Sequence, residues 1–216
     1  MPDFSTPFDG PRLPVVLLLD TSAVMGARGD GTLAPITQLN EAFAALCDYI
    51  QSDELLCMRL DLLVITSGGC AQVAIPFTGG RDLVPRRFEP EGSSCTGAAL
   101  RLAVRQIEER EREYTATDLR RYRPLLLIWM LGTCHDDDLL DGAKLVRAAE
   151  RDGQLHAVCF GLGSDAEVQS LGMIFEPNRV LPLRGADWQE LLGFRTHGVV
   201  DLTVPDAASG LKDVVV

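Results

Sequence analysis

The stretch PVVLLLDTSAV, Pro14–Val24, decides the fold of this chain because an unbroken apolar run ends there at an acidic residue. A short apolar run without polar alternation is typical of a parallel strand that is buried on both faces. In open sheets of such strands, ligands bind beyond the carboxyl ends. Asp20 and Ser22 place a carboxylate and a hydroxyl on one side of the following loop, and both groups suit Mg²⁺. The next residue on that side, Val24, has no oxygen.

Further apolar runs alternate with segments of helical period, and this alternation predicts an α/β fold. The predicted buried strands are Val15–Leu19, Leu60–Thr66, Leu125–Leu131 and His156–Phe160. The segment Cys70–Phe77 follows an SGG turn, which predicts an antiparallel edge strand. We therefore expect a doubly wound, mostly parallel sheet with one antiparallel edge strand and helices on both faces.

Helices are predicted where apolar residues recur at a spacing of three or four. One apolar stripe covers residues 36–50, and a second helix begins at Thr96. Asp136, Asp137 and Asp138 precede a third helix, where carboxylates suit the helix dipole. Two more helices are expected after Ser164 and over Asp187–Phe194.

Length and composition indicate one globular domain. The 216 residues contain no linker, so we expect a flexible N-terminus at 1–11, a domain at 12–198 and a tail at 199–216. The net charge of -11 disfavours nucleic acid or an anionic membrane as a partner. The absence of a long apolar segment and of a secretory signal predicts a cytoplasmic protein. Six scattered cysteines without a CxxC pair indicate neither a disulfide framework nor a zinc site.

Three loops should meet at the carboxyl edge of the sheet. They are DTSAV after the first strand, residues 93–97 (SSCTG) ahead of a helix, and residues 132–138 after the fourth strand. Together with RPLLLIWMLG, these motifs resemble the von Willebrand factor A (VWA) domain family. Within that family the chain is most similar to the short bacterial tellurite-resistance (TerY-like) type. The resemblance runs in order from about residue 12 to residue 194.

The resemblance implies a six-stranded sheet with a metal-ion-dependent adhesion site (MIDAS) at its top. Asp20, Ser22 and Thr96 match three of the family's five ligand positions, whereas Val24 and Leu131 stand where a serine and an aspartate are expected. Mg²⁺ holds its waters strongly and needs preorganised charged oxygens. Because Asp20 is the only matched charge, we expect a degenerate site that binds no cofactor.

We expect a non-enzymatic protein-interaction module. The resemblance implies a bacterial stress, tellurite-resistance or defence system, with kinase-like and phosphatase-like proteins of the same operon as partners. We call the predicted partner-binding surface the rim. It comprises Asp20, Ser22, Ala23, Val24, Thr96, His135, Asp136, Asp137 and Asp138.

Three alternatives remain open at the level of sequence. A Mg²⁺-dependent ligand site could survive through Asp20, Ser22 and Thr96. Cys95 and Arg101 form a C-x₅-R pattern, the spacing of a cysteine phosphatase, although the usual glycine is misplaced and the preceding histidine is absent. The chain could also be a structural subunit whose interfaces lie away from the rim.

Overall fold

One six-stranded sheet organises the molecule. The computed structural model of the protein describes residues 10–27, 33–132, 136–162, 165–175 and 180–183. The strands are β1 Leu13–Leu19, β2 Leu60–Thr66, β3 Gln72–Gly79, β4 Leu125–Leu131, β5 His156–Leu162 and β6 Val180–Pro182. Their order across the sheet is β3-β2-β1-β4-β5-β6. All neighbours are parallel except β2 and β3, which are antiparallel.

Strand β1 lies in the middle of the sheet, and all seven of its residues are buried. Its last residue, Leu19, is in register with Thr66 of β2 and with Trp129 of β4. The carboxyl ends of three parallel strands therefore meet at one edge, and Asp20 follows directly at that edge.

Helices cover both faces of the sheet. They are α1 Pro35–Ser52, α2 Glu54–Arg59, α3 Thr96–Ala116, α4 Leu139–Arg151 and α5 Asp165–Phe175. Val15 and Leu17 share one apolar cluster with residues of α1 and α2, whereas Val16 and Leu18 share the other with residues of α3, α4 and α5. Because successive residues of a strand point to opposite faces, a continuous apolar run is needed to fill both clusters.

The connection between β3 and α3, residues 80–95, is long and is held tightly against the helical layer. The side chain of Asn40 on α1 donates to the Phe88 carbonyl at 2.9 Å and accepts from the Phe88 amide at 2.8 Å. The Phe88 ring packs edge-on against Phe43, with 5.3 Å between ring centroids. Farther along, Glu91 donates its amide to the Thr21 carbonyl at 2.8 Å. This connection fixes the position from which α3 begins.

The architecture confirms the predicted fold class. The antiparallel edge strand is present, but it starts at Gln72, two residues after the predicted start. The short strand β6 was not predicted from residue patterns, although the family resemblance implied six strands. Residues 1–9 and 184–216 lie outside the described part, so the predicted termini, the domain boundaries and the helix at 187–194 stay predictions. None of the described helices has the length and apolar character needed to cross a bilayer.

Candidate functional site

Asp20 is held at the centre of the carboxyl edge. Its amide donates to the Trp129 carbonyl at 2.8 Å, which ties the end of β1 to β4. Its Oδ1 accepts from the Ser22 amide at 2.9 Å. Asp20 is 0% exposed and Ser22 is 2% exposed. Within the described ranges, neither Asp20 Oδ2 nor Ser22 Oγ has a hydrogen-bond partner.

Burial dominates the electrostatics of Asp20. Removal of the carboxyl from water raises its pKa, and the adjacent Ser22 hydroxyl, the Ser22 amide and the Leu131 amide only partly offset the rise. The Ser22 hydroxyl lies near the carboxylate and interacts with it, but the two groups do not meet hydrogen-bond geometry. No described basic side chain pairs with Asp20. The site therefore contains a buried acid without a counter-charge.

The third matched residue, Thr96, is fully buried at the start of α3. Its Oγ1 lies 2.9 Å from Ser94 Oγ and 3.3 Å from Ser67 Oγ. Ser67 follows β2, and its amide donates to the Leu19 carbonyl at 3.1 Å. The structure thus brings Thr96 to the same edge as Asp20, but two serine hydroxyls already engage its hydroxyl.

The two departures from the family pattern lie in different environments. Val24 sits in a short 3-10 helix, Ala23–Gly26, and is 49% exposed. Leu131 is buried in the apolar cluster on the α1 side of the sheet. Neither residue offers a side-chain oxygen. Val24 contributes apolar surface to the rim, and Leu131 contributes to the core.

The acids after β4 bind groups of the protein itself. Asp136 Oδ2 accepts from the Gly97 amide at 2.5 Å, so this carboxylate caps α3 rather than the helix that follows it. Its Oδ1 accepts from the Asp138 amide at 3.0 Å. Asp138 forms an ion pair with Arg101 at 2.6 Å. Asp137 is exposed, and His135 lies outside the described residues.

An open groove of about 730 Å³ runs beside these acids. It is lined by Ser94, Asp136, Asp137, Asp138, Leu139, Leu140 and Ile174. Leu140 is 55% exposed, so the groove joins carboxylates to an accessible apolar side chain. Such a surface suits a partner that carries both basic and apolar groups.

Cys95 and Arg101 do not form a phosphate site. The Cys95 thiol lies 3.4 Å from the Gly69 carbonyl oxygen, and Arg101 pairs with Asp138 instead. Burial first, and then the nearby Asp136 and Cys70, raise the pKa of Cys95. A phosphatase nucleophile needs a lowered thiol pKa, so both the geometry and the electrostatics speak against that chemistry.

The residues present fit a family-type Mg²⁺ ion only in part. Asp20 and Ser22 offer two oxygen atoms with no other bonding partner, as metal ligands would. Thr96 is engaged by serines, and the positions of Val24 and Leu131 supply no oxygen. In the described part of the chain, no three acidic, cysteine or histidine side chains are grouped to hold a metal. With a single carboxylate, the set is incomplete.

Sequence reasoning missed the hydroxyl cluster of Ser67 and Ser94 around Thr96. Both serines stand beside glycines or other serines in loops, and loops rich in these residues are common. Ser67 directly follows a buried strand, and this position was the one sign in the sequence that its hydroxyl lies at the carboxyl edge. Its contact with Thr96 joins segments 29 residues apart, so only the folded structure reveals it.

Comparisons with known proteins find similar structures but no protein of similar sequence. No family model matches the sequence, and no curated protein matches it. The pilus adhesin SpaC of Lactobacillus rhamnosus GG aligns at 12% identity over 76% of this chain and 27% of the adhesin, with a TM-score of 0.54. Manganese-loaded TRAP protein of Plasmodium vivax aligns at 18% identity over 76% of this chain and 62% of that chain, with a TM-score of 0.46.

Proximal thread matrix protein 1 of the mussel byssus, solved with a zinc-occupied MIDAS motif, aligns at 12% identity over 83% of this chain. The match covers 44% of that protein, with a TM-score of 0.48. This chain therefore spans between 27% and 62% of the length of these three structures. The sheet order, the helices on both faces and the likeness to the adhesin show that the chain has a VWA-like α/β fold.

Proposed function

We propose that this protein is a non-enzymatic VWA-like interaction module that binds a protein partner through the exposed part of the rim, Ala23, Val24, Asp137 and Asp138. The other predicted rim residues Asp20, Ser22 and Thr96 are buried, so they support this surface from below and do not reach a partner. The proposal rests on one observation: several polar groups at the carboxyl edge are bonded within the protein, and the exposed residues beside them are apolar or acidic. Asp136, Asp138 and Thr96 bind the protein's own amides, guanidinium and hydroxyls, whereas Ala23, Val24 and Asp137 are exposed. Among the rim residues that the structure describes, this leaves an acidic and apolar surface without an array of catalytic groups.

The chemistry of the rim favours a partner with basic and apolar side chains. The chain carries a net charge of -11, so a basic surface gains long-range attraction as well as local contacts. The TerY-like resemblance suggests kinase-like and phosphatase-like proteins of one bacterial operon as partners. It also suggests a role in stress response, tellurite resistance or defence, and we propose a cytoplasmic location on the sequence pattern of the N-terminus.

The proposal is tested by measuring the binding of purified candidate partners to variants of the rim. We expect Asp137→Lys and Val24→Glu each to weaken binding at least tenfold, because one reverses a rim charge and the other charges its apolar part. Asp152→Lys is the matched control, since it makes the same charge change at the other end of α4. Asp136 is avoided because it caps α3.

Binding that survives both rim changes but is lost on changes elsewhere would contradict the proposal. That outcome would favour the alternative of a structural subunit with interfaces away from the rim. Circular dichroism of each variant confirms that the fold is intact before its affinity is compared with that of the wild type.

A Mg²⁺-dependent ligand site is the second candidate, and the unpartnered oxygens of Asp20 and Ser22 favour it. Calorimetric titration of Mg²⁺ and Mn²⁺ into chelator-treated protein distinguishes the two candidates. We expect no binding tighter than about millimolar, because a single carboxylate attracts the ion weakly. Tighter binding that is abolished by Asp20→Ala and retained by Asp48→Ala would establish the metal site instead.

A further inference from the structure

Two loops beside the rim are bound to each other along their backbones. Gly68, after β2, forms an antiparallel bridge with Ser94 in the β3–α3 connection. The Gly69 amide donates to the Ser93 carbonyl at 2.9 Å, and the Cys95 amide donates to the Ser67 carbonyl at 2.8 Å. The two segments thus behave like a short hairpin whose strands come from distant parts of the sequence.

Each of these loops carries a cysteine at the contact. The Cys95 thiol lies 3.4 Å from the carbonyl oxygen of Gly69, the residue that directly precedes Cys70. The two thiols are also close enough to interact electrostatically. Cys70 is exposed and Cys95 is half-buried, so a small oxidant reaches the Cys70 thiol first. Burial and the nearby Asp136 raise the pKa of Cys95, so that thiol suits the second step, in which it closes the bridge onto the oxidised Cys70 sulfur.

The backbone around the pair is set by tight turns. The Cys70 amide donates to the Gly68 carbonyl at 2.7 Å, which closes a three-residue turn at Gly69. Gly69 and Gly92 have positive φ angles of 69° and 57°. A Cβ on Gly92 would lie 2.4 Å from the Gly69 Cα, so the absence of side chains at this contact lets the cysteine-bearing segments approach.

We propose that Cys70 and Cys95 are a redox-active dithiol that closes to a disulfide when the protein meets a peroxide. Each thiol gives up its proton, one S–S bond forms, and the two sulfurs together supply two electrons. The O–O bond of hydrogen peroxide breaks, and its two oxygen atoms take up the electrons and protons and leave as two molecules of water. A small-molecule thiol reverses the reaction by exchange. The disulfide would add a covalent link between the two loops one residue before Thr96.

The other described cysteines lack this arrangement. Cys47 and Cys159 are buried in the two apolar clusters, where an oxidant does not reach them. Cys57 lies on α2, next to the Gly80 backbone on the α1 side of the sheet. Cys57 therefore provides a matched control, because it is partly exposed but stands apart from the pair.

The test counts thiols in the full-length protein before and after treatment with hydrogen peroxide. We expect the wild type to lose two thiols per chain and to regain both with dithiothreitol. Peptide mapping under non-reducing conditions should recover a cross-linked peptide that joins Cys70 to Cys95. Cys57→Ser should behave like the wild type, whereas Cys70→Ser and Cys95→Ser should give no intramolecular cross-link.

Three results would overturn the proposal. One is a wild type that keeps both thiols under conditions that oxidise glutathione. Another is a cross-link that joins either cysteine to Cys134. The third is a dimer linked through Cys70 on a non-reducing gel in place of the internal bridge. Because a serine at the start of α3 could perturb folding, Cys95→Ala provides a second variant, and an intact circular dichroism spectrum is required of each.

Discussion

Asp20 is a carboxyl that the fold buries without giving it a counter-charge. One of its oxygens accepts the Ser22 amide, and the other has no partner among the described residues. A buried acid of this kind is costly to ionise, and proteins retain such groups chiefly where function needs them. We therefore expect removal of this charge to stabilise the folded chain.

The first prediction concerns Asp20→Asn. Burial raises the folded-state pKa above the ordinary value of 3.8. The contribution of Asp20 to stability is thus complete below that value and is lost as the pH rises through the folded-state pKa. Asparagine keeps the acceptor for the Ser22 amide and never ionises. We expect the variant to be more stable than the wild type by about 1 kcal/mol at about pH 7.5, and by less at about pH 5.

Urea denaturation at the two pH values measures this effect. Asp48→Asn is the control, since Asp48 is exposed on α1 and should show a difference near zero. A variant at Asp20 that is less stable than the wild type at neutral pH, and more so with added Mg²⁺, would show that a cation resides beside Asp20. Because Asp20 is 0% exposed, the proposed function expects the stabilised variant to keep its affinity for the partner.

A second buried acid, Asp61, lies near the start of β2, at the amino ends of the parallel strands. Unlike Asp20, it has a hydrogen-bond partner on each of its two carboxylate oxygens. Its Oδ1 accepts from Arg12 and its Oδ2 from Arg110, both at 2.8 Å, and Tyr114 also donates its hydroxyl to Oδ2. Asp61 is 2% exposed. Burial and the bond to Asp61 raise the pKa of Tyr114, so the phenol stays protonated and keeps donating. This cluster joins β2 to the end of α3.

The second prediction is that Asp61→Asn lowers the free energy of unfolding by about 3 kcal/mol, because two partly buried guanidinium groups lose their shared carboxylate. Tyr114→Phe should lower it by only about 1 kcal/mol, since it removes one hydrogen bond and leaves the ion pairs. Denaturant unfolding of both variants gives the comparison. Equal losses in the two variants would show that the charge of Asp61 contributes nothing beyond a hydrogen bond.

At the scale of elements, the contact between α3 and α4 depends on two glycines near the rim. A Cβ on Gly97 would lie 2.3 Å from the Asp138 backbone, and one on Gly142 would lie 2.7 Å from the Gly97 carbonyl oxygen. The same Gly97 donates its amide to Asp136. The close approach of α3 and α4 therefore sets the positions of Asp136 and Asp138 relative to the start of α3.

The third prediction is that Gly97→Ala destabilises the protein by about 2 kcal/mol, although alanine has the higher helix propensity. The added methyl group would push the start of α4 away and break the cap from Asp136. Gly79→Ala is the control, because its nearest contact would be 3.9 Å away and it should change stability by less than about 0.5 kcal/mol. Thermal unfolding of the two variants decides the matter, and a neutral Gly97→Ala would show that the helices can move apart freely.

The strands could be predicted from sequence because burial on both faces leaves an unmistakable pattern of consecutive apolar residues. The strand β6 has only three residues and α2 only six, which is too short for a period to appear. The end of α3 could not be placed from the polar residues around it, since the helix extends to Ala116 and Tyr114 is buried against Asp61. That extension depends on a tertiary contact, which local pattern does not encode.

The site was only partly predictable for the same reason. The order of the strands brought Asp20, Thr96 and the acids after β4 to one edge, as the alternation of strands and helices implied. One bonding partner of Thr96, Ser67, and one of Asp136, the Gly97 amide, come from segments that are distant in sequence. Asn40 illustrates the limit, because it falls outside the apolar stripe of α1 and yet is buried against the Phe88 backbone.

At the scale of the whole molecule, the net charge of -11 acts on any approaching partner. The fourth prediction is that the affinity for a basic partner falls at least fivefold when salt rises from about 50 mM to about 300 mM, mainly through a slower association rate. Biolayer interferometry at the two salt concentrations separates the rate constants. An affinity that does not respond to salt would indicate that the apolar part of the rim dominates binding.

The central position of β1 has a consequence for how the protein is made. β1 requires both β2 and β4 as neighbours, and β4 begins roughly 100 residues later in the chain. A ribosome that adds about 5–20 residues per second needs roughly 5–20 s to supply that neighbour. Throughout that interval β1, all of whose residues are buried in the folded protein, has one open hydrogen-bonding edge. We therefore expect nascent chains to depend on chaperones until β4 has emerged, and chains truncated before β4 to aggregate when expressed alone.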